Sequence, residues 1–277
     1  MTNENPEIGR KIDAAGISTN YHDEGDGFPV LLIHGSGPGV SAWANWRLNL
    51  PELAKEFRVI APDIVGFGFT ERPPDISYDL ETWKKHLIGL LDALELDKVG
   101  LVGNSFGGAL TLAIAAEVPD RVERFVLMGS AGLSFPITDA LERIWGYEPS
   151  IEEMRYMLDL MAFDRGLVND ELAELRYRAS IREGFQESYS AMFPAPRQER
   201  LDALTTPEDT ISAIPHEALV IHGREDRILP VEVAYRLVSL LDKAQLHVFG
   251  RCGHWTQIEH AQRFNRLVAD FFREGLS

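Results

Sequence analysis

Val99 to Val102 runs into Gly103-Asn104-Ser105-Phe106-Gly107, and that pentapeptide runs into the helix-period segment Ala109 to Glu117. The pentapeptide has the form Gly-x-Ser-x-Gly, placed directly after a strand pattern and directly before a helix pattern. A sharp strand-to-helix turn forces its central residue into a strained conformation, and the flanking glycines keep side chains from colliding with it. The serine oxygen is then presented at the C-terminal edge of a sheet, near the positive end of the following helix. Ser105 is therefore read as a nucleophile, and the strand before it as one strand of a parallel sheet.

Outward from this turn, five more short apolar runs have the look of buried parallel strands: Val30 to Ile33, Val59 to Ala61, Phe125 to Met128, Ala218 to Ile221 and Leu246 to Phe249. Helix-period segments such as Leu80 to Leu94 and Val233 to Leu241 lie between them. The alternation predicts an α/β fold with a mostly parallel sheet, whose ligands bind beyond the strands' C-terminal ends. It stops after Gly132. From Ser134 to Ala213 only helical pieces are found, broken at Pro136, Pro149, Gly166, Gly184, Pro194 and Pro207. The expected division is a core of residues 1–133 and 214–277 with a helical lid, 134–213, inserted into it.

Composition limits the function classes. The 277 residues carry 27 Lys+Arg against 43 Asp+Glu, a net charge of −16, which argues against nucleic acid or an anionic membrane as partner. No run of about 18 uncharged apolar residues exists, so no membrane-crossing helix is expected. Met1 to Lys11 is polar without an apolar centre, so no signal peptide is expected. The single Cys252 has no internal disulfide partner and suits a reducing cytoplasm. No His-Glu-x-x-His, Cys-x-x-Cys or clustered His/carboxylate spacing occurs, so no metal is expected.

A serine hydroxyl needs a base within hydrogen-bond reach, itself oriented by an acid, in the order Ser, acid, His along such a chain. Gly223-Arg224-Glu225-Asp226 follows the Ala218–Ile221 strand and Gly253-His254 follows the Leu246–Phe249 strand. Asp226 is the candidate acid, preferred to its neighbour Glu225, and His254 the candidate base. His34 precedes Gly35-Ser36-Gly37-Pro38-Gly39 after the Val30–Ile33 strand, where a loop supplies an oxyanion donor. The backbone N–H groups of Ser36 and Phe106 are assigned as the donors, and His34 as a residue that orders the loop. His22, His86, His216, His222, His247 and His260 are read as structural or solvated. Cys252 reads as a small buried thiol, and Asp63 to Gly68 as a structural turn.

Asp170 to Ile181 reads as a lid helix capped by Asn169 or Asp170. At helical spacing Leu172, Leu175, Arg176 and Ala179 share one stripe, which puts a guanidinium in the middle of an apolar face, whereas Arg178 is solvated. A buried guanidinium is costly unless paired, so Arg176 either meets a protein carboxylate or receives an anionic ligand. Trp145, Trp255 and Phe106 are available as apolar walls, with lid–core packing the expected role of Trp145.

Several stretches together resemble the α/β-hydrolases that act on ring-fission products, the meta-cleavage product hydrolases, and within them the 2-hydroxymuconic semialdehyde hydrolase group. They are His34 to Gly39 with Ala42-Trp43-Ala44-Asn45-Trp46, Gly103 to Gly108, Leu172 to Tyr177, Phe193 to Arg197 and Gly253-His254-Trp255-Thr256-Gln257. The resemblance runs from about Pro6 to Phe272. It implies the α/β-hydrolase fold and hydrolysis of a carbon–carbon bond in a vinylogous 1,5-diketone, without a cofactor. Ser105, Asp226 and His254 would be its triad, and Arg176 would bind the carboxylate of the anionic dienoate. Asn45, Asn104 and Trp255 would contact the dienoate's polar end, and Ser36 and Gly37 would line the oxyanion pocket. The resemblance also implies a homo-oligomer and favours a small C6 substituent. Water would free an acyl-enzyme or add directly with Ser105 assisting. The rival readings are a carboxylesterase of the same fold and, from another class, a non-catalytic small-molecule receptor.

Overall fold

Strands and helices alternate around a single eight-stranded sheet in the computed structural model, which describes residues 5–275. Positions 1–4 and 276–277, the ends of the two expected core segments, lie outside the described residues. The strands are β1 (Arg10–Ala14), β2 (Ile17–Glu24), β3 (Pro29–Ile33), β4 (Arg58–Pro62), β5 (Val99–Asn104), β6 (Val122–Met128), β7 (Ala218–Gly223) and β8 (Ala244–Phe249). Their spatial order is β1-β2-β4-β3-β5-β6-β7-β8; β2 is antiparallel to both neighbours, and β3 to β8 are mutually parallel.

Between β3 and β4 lie α1 (Ala42–Trp46) and α2 (Leu50–Leu53), and α3 (Leu80–Ala93) follows β4. Helix α4 (Phe106–Glu117) follows β5. Between β6 and β7 come α5 (Asp139–Trp145), α6 (Ile151–Met161), α7 (Asp170–Ser180), α8 (Phe185–Met192), α9 (Arg197–Asp202) and α10 (Glu208–Ser212), with no strand among them. Helix α11 (Val231–Leu240) links β7 to β8, and α12 (Thr256–Glu259) and α13 (Ala261–Glu274) close the chain.

Period-two alternation divides the strand residues between two cores. Leu31, Ile33, Leu101, Leu127 and Val220 face one side of the sheet. Val30, Leu32, Val102, Val126 and Ile221 face the other, against Trp46, Phe264 and Phe272. Burial on both faces makes β3 to β7 near-continuous apolar runs, and this is why they are readable from sequence, whereas β8, at the sheet edge, is only partly buried. The antiparallel pair β1 and β2 is not readable in this way. Thr19, Asn20 and His22 of β2 are buried polar residues; Thr19 meets His86 at 2.7 Å, and Asn20 donates to Asp63 at 2.8 Å. Asp63 also accepts from Ala42 and Phe69 N–H groups, so the Asp63 to Gly68 loop is a carboxylate-centred structural turn.

Candidate active site

Ser105 stands at the end of β5 with φ 54° and ψ −114°, a left-handed region that a non-glycine residue occupies only when its surroundings hold it there. They do: its N–H donates to Met128 O at 2.9 Å, and its carbonyl accepts from Gly108 and Ala131 N–H. A Cβ at Gly103 would lie 2.4 Å from Gly107 O, and one at Gly107 would lie 2.3 Å from Ile33 O. Only glycine permits both approaches. The geometry starts α4 at Phe106, three residues earlier than the helical periodicity.

Asp226 and His254 lie beyond β7 and β8, on the same sheet edge as Ser105. Asp226 Oδ2 is 2.7 Å from His254 Nδ1, while Oδ1 accepts from the Ile228 and Leu229 N–H groups at 2.8 and 3.0 Å. Burial alone would raise the Asp226 pKa, but His254, His222 and the backbone donors hold it below the ordinary value. Glu225 accepts from the Cys252 N–H and from Arg224. It is engaged away from the imidazole. Among the described residues Ser105 Oγ has no hydrogen-bond partner; it opens with His254 into one cavity of about 900 Å³, mouth included. Gly129, at the end of β6, has φ +48°, and a Cβ there would come within 3.2 Å of the His254 ring. Its place after a strand was the only sequence signal that it matters.

The loop after β3 forms the opposite wall, where Ser36 and Gly37 line the cavity. Phe106 opens α4, so its N–H has no intrahelical acceptor. Ser36 Oγ accepts from Trp145 Nε1 at 3.0 Å, which ties the loop to α5. His34 sits behind, with Nε2 accepting from Ile64 N–H at 3.0 Å and Nδ1 against Gly35 O at 2.8 Å. It orders the loop. Cys252 is fully buried, which pushes its thiol up to about 12.

His34 and His86 are both neutral acceptors of backbone N–H groups. Burial pulls both to about 4, with His34 adding to the effect on His86. An unfolded histidine titrates near about 6.5, so as pH falls from there toward 4 the unfolded chain takes up two protons that the folded chain refuses. Buried Asp63, raised to about 6, has the opposite sign and offsets one of them. His22, His216, His222 and His247, also lowered by burial, add to the loss, so the net expectation is that stability falls on acidification across that window. Urea midpoints between about pH 7 and 5 check it; a midpoint that climbs on acidification contradicts it.

Helix α7 is capped by the Asn169 side chain, which accepts from Leu172 N–H at 2.8 Å. Its inner face is Ala173, Arg176 and Ser180, with Leu172 and Ala179 beside them; Leu175 is 59% exposed, so the expected stripe is corrected by about one residue. The helix packs against α6 and α8. Arg178 pairs with Glu174 on the surface. Arg176 lines the cavity, donates to Pro38 O at 3.1 Å and has no carboxylate in ion-pair range among the described residues. Burial lowers its pKa to about 10, so it remains a cation at neutral pH. Glu7, the acid that most favours its charge, is itself paired with Arg182 at 2.7 Å and bound by Ser41.

Asn45, Asn104 and Trp255 also line the cavity. Phe106 and Trp145 do not. Phe106 is packed edge-on against Trp83 and Phe193, and Trp145 is stacked on Phe193 with ring centroids 4.5 Å apart. The apolar wall comes instead from Met154, Met157, Leu158 and Met161 of α6, whose i, i+3, i+4, i+7 spacing was legible but was not connected with the site. Arg47 and Gln257 are further lining residues that sequence reasoning missed.

A serine on a strained turn, an imidazole–carboxylate pair on the next strand ends and free backbone donors across from them are the parts of a serine hydrolase. Residues 29–261 match the alpha/beta hydrolase fold family. The chain is 64% identical over 270 residues to a 2-hydroxymuconate semialdehyde hydrolase of Pseudomonas sp. (strain CF600), covering 98% of this chain and 95% of that one. It is 61% identical over 271 residues to a 2-hydroxy-6-oxo-2,4-heptadienoate hydrolase of Pseudomonas putida, covering 98% of each. A meta-cleavage product hydrolase from Pseudomonas fluorescens IP01, solved as a serine-to-alanine mutant complexed with acetates, superposes with a TM-score of 0.97 at 60% identity, covering 98% of this chain and 99% of that one. The chain belongs to the α/β-hydrolase family and, within it, to the meta-cleavage product hydrolases.

Proposed function

We propose that this enzyme hydrolyses the C5–C6 bond of a 2-hydroxy-6-oxohexa-2,4-dienoate with hydrogen or a short alkyl group at C6. The products are 2-hydroxypenta-2,4-dienoate and a small carboxylic acid. The observation that carries this reading is Arg176, a guanidinium without a carboxylate partner in the same cavity as Ser105 and His254. An ester hydrolase has no use for it, whereas a dienoate brings a carboxylate that a guanidinium holds bidentately. The small C6 group is supported by the relatives at 61% and 64% identity, named for a heptadienoate and a semialdehyde.

In this reading Arg176 takes the C1 carboxylate, and Asn45, Asn104 and Trp255 surround the polar end. The acyl end meets Met154 and Met157. A carbon leaving group needs an electron sink, so the dienol is first ketonised, with His254 carrying the proton to C5. Ser105 Oγ then attacks C6 as His254 takes its proton, and Asp226 stabilises the imidazolium. The Ser36 and Phe106 N–H groups receive the oxyanion beside Gly37. Breaking the C5–C6 bond delocalises its electron pair through C3 to the C2 oxygen, and water frees the acid from Ser105. Residues 134–213 form the lid over a core of 1–133 and 214–277. The enzyme works as a cytoplasmic homo-oligomer.

Mixing the protein with yellow 2-hydroxymuconic semialdehyde or its 6-methyl analogue tests the assignment. The visible absorbance is expected to vanish with release of one equivalent of formate or acetate. Persistent colour with both substrates rejects it.

A further inference from the structure

The cavity wall holds more hydrogen-bonding capacity than the residues already assigned to it use. Gln257 lies on α12, three residues beyond His254, and is fully buried, yet neither Nε2 nor Oε1 meets a protein partner. Its backbone carbonyl is gripped by the Asn49 side chain at 3.1 Å, which also donates to Asn265 at 2.7 Å. Asn49 stands four residues beyond Asn45, whose own Nδ2 is buried and unpaired. Gln257 and Asn45 both line the cavity that Ser105 and His254 open into. Unpaired buried amides are costly, and these three unpartnered atoms belong to two residues of one cavity wall.

We propose that Gln257, together with Asn45 Nδ2, receives the C2 oxygen of the dienoate and holds it through tautomerisation; this rests on the carbon–carbon hydrolase reading above. The C2 oxygen changes character during the reaction. In the dienol it carries a proton and donates, whereas in the ketone it only accepts. A guanidinium or an indole offers donors alone, but a carboxamide offers one acceptor and two N–H donors on one rigid plane. Oε1 accepts the enol O–H, and after ketonisation Nε2–H and Asn45 Nδ2–H donate to the carbonyl. The O–H bond breaks, its proton passing to His254 and its electron pair becoming part of the C2=O bond. The double bonds move to C3=C4, and C5 gains a proton carried by His254. Gln257 itself neither gains nor loses a proton. It binds and orients.

Rapid mixing of wild type, Gln257→Leu and Gln257→Met with the 6-methyl dienoate tests this, alongside hydrolysis of p-nitrophenyl acetate and a thermal melt. Loss of both amide bonds is expected to lower kcat/KM for bleaching at least about thirtyfold. Ester hydrolysis, which involves no C2 oxygen, is expected to stay within twofold. The melting temperature is expected to hold or rise, because an apolar side chain of similar shape removes unpaired polar atoms from the interior. Bleaching within threefold of wild type overturns the proposal. So does a parallel fall of bleaching, ester hydrolysis and melting temperature in both variants, which marks a packing role. A wild type that leaves the dienoate yellow overturns the underlying reading with it.

Discussion

Ser105→Ala is expected to lower turnover of the ring-fission dienoate by a factor on the order of 10⁴ to 10⁶. The substitution removes one oxygen and leaves the backbone anchors of the turn in place: the Ser105 N–H to Met128 and the Ser105 carbonyl to Gly108 and Ala131. The Asp226–His254 pair is likewise untouched, with Nδ1 still 2.7 Å from the carboxylate. Only the attacking atom is lost. Binding through Arg176 persists, so the variant should form a long-lived coloured complex when enzyme is in excess. Stopped-flow absorbance together with assay of the released acid measures both halves of the expectation. A loss below tenfold would defeat covalent attack by Ser105 and assign the nucleophile to water.

Arg176→Gln is the second large effect. Truncating one partner of a buried, hydrogen-bonded charge pair costs about 2–5 kcal/mol, which corresponds to roughly thirtyfold or more in an equilibrium constant. The expected result is a KM for the dienoate raised at least about thirtyfold, with p-nitrophenyl acetate hydrolysis within twofold of wild type. The fold should not suffer, because Arg176 gives up a single hydrogen bond, to Pro38 O, and no ion pair. Glu7 keeps Arg182 and Ser41. Equal losses on acid and ester substrates would instead make the enzyme a carboxylesterase with a structural arginine. A neutral amide is used because lysine would keep the charge without the fork that matches a carboxylate.

The parallel sheet and the placement of its three terminal loops were legible because buried strands write themselves as short β-branched runs. The motif at Ser105 could be read against that frame, as could the loops carrying Asp226 and His254. Other features were hidden for physical reasons. β2 carries buried polar residues whose hydrogen-bond partners, His86 and Asp63, are far away in sequence. Leu175 was placed on the inner face because an apolar residue at helical spacing reads as core, yet Ala173 and Ser180, small enough for close packing, take that face. Trp145 packs between lid and core as its sequence position suggests, whereas the apolar character of Phe106 suggests a cavity wall and the ring is instead consumed by aromatic packing. Gln257 and Arg47 carry no pattern of their own. Their significance lies in what they face.

The row of Met154, Met157 and Met161 along α6 bears on the range of substrates. An unbranched thioether has three rotatable bonds and fills irregular space by rotamer exchange, without displacing the helix that carries it. Such a wall yields to acyl groups of differing bulk, while the polar side of the cleft, built from rigid amides and a guanidinium, does not. If the acyl end meets this wall as proposed, substitutions along one face of one helix would change the acyl group accepted while leaving Ser105, Asp226 and His254 as they are.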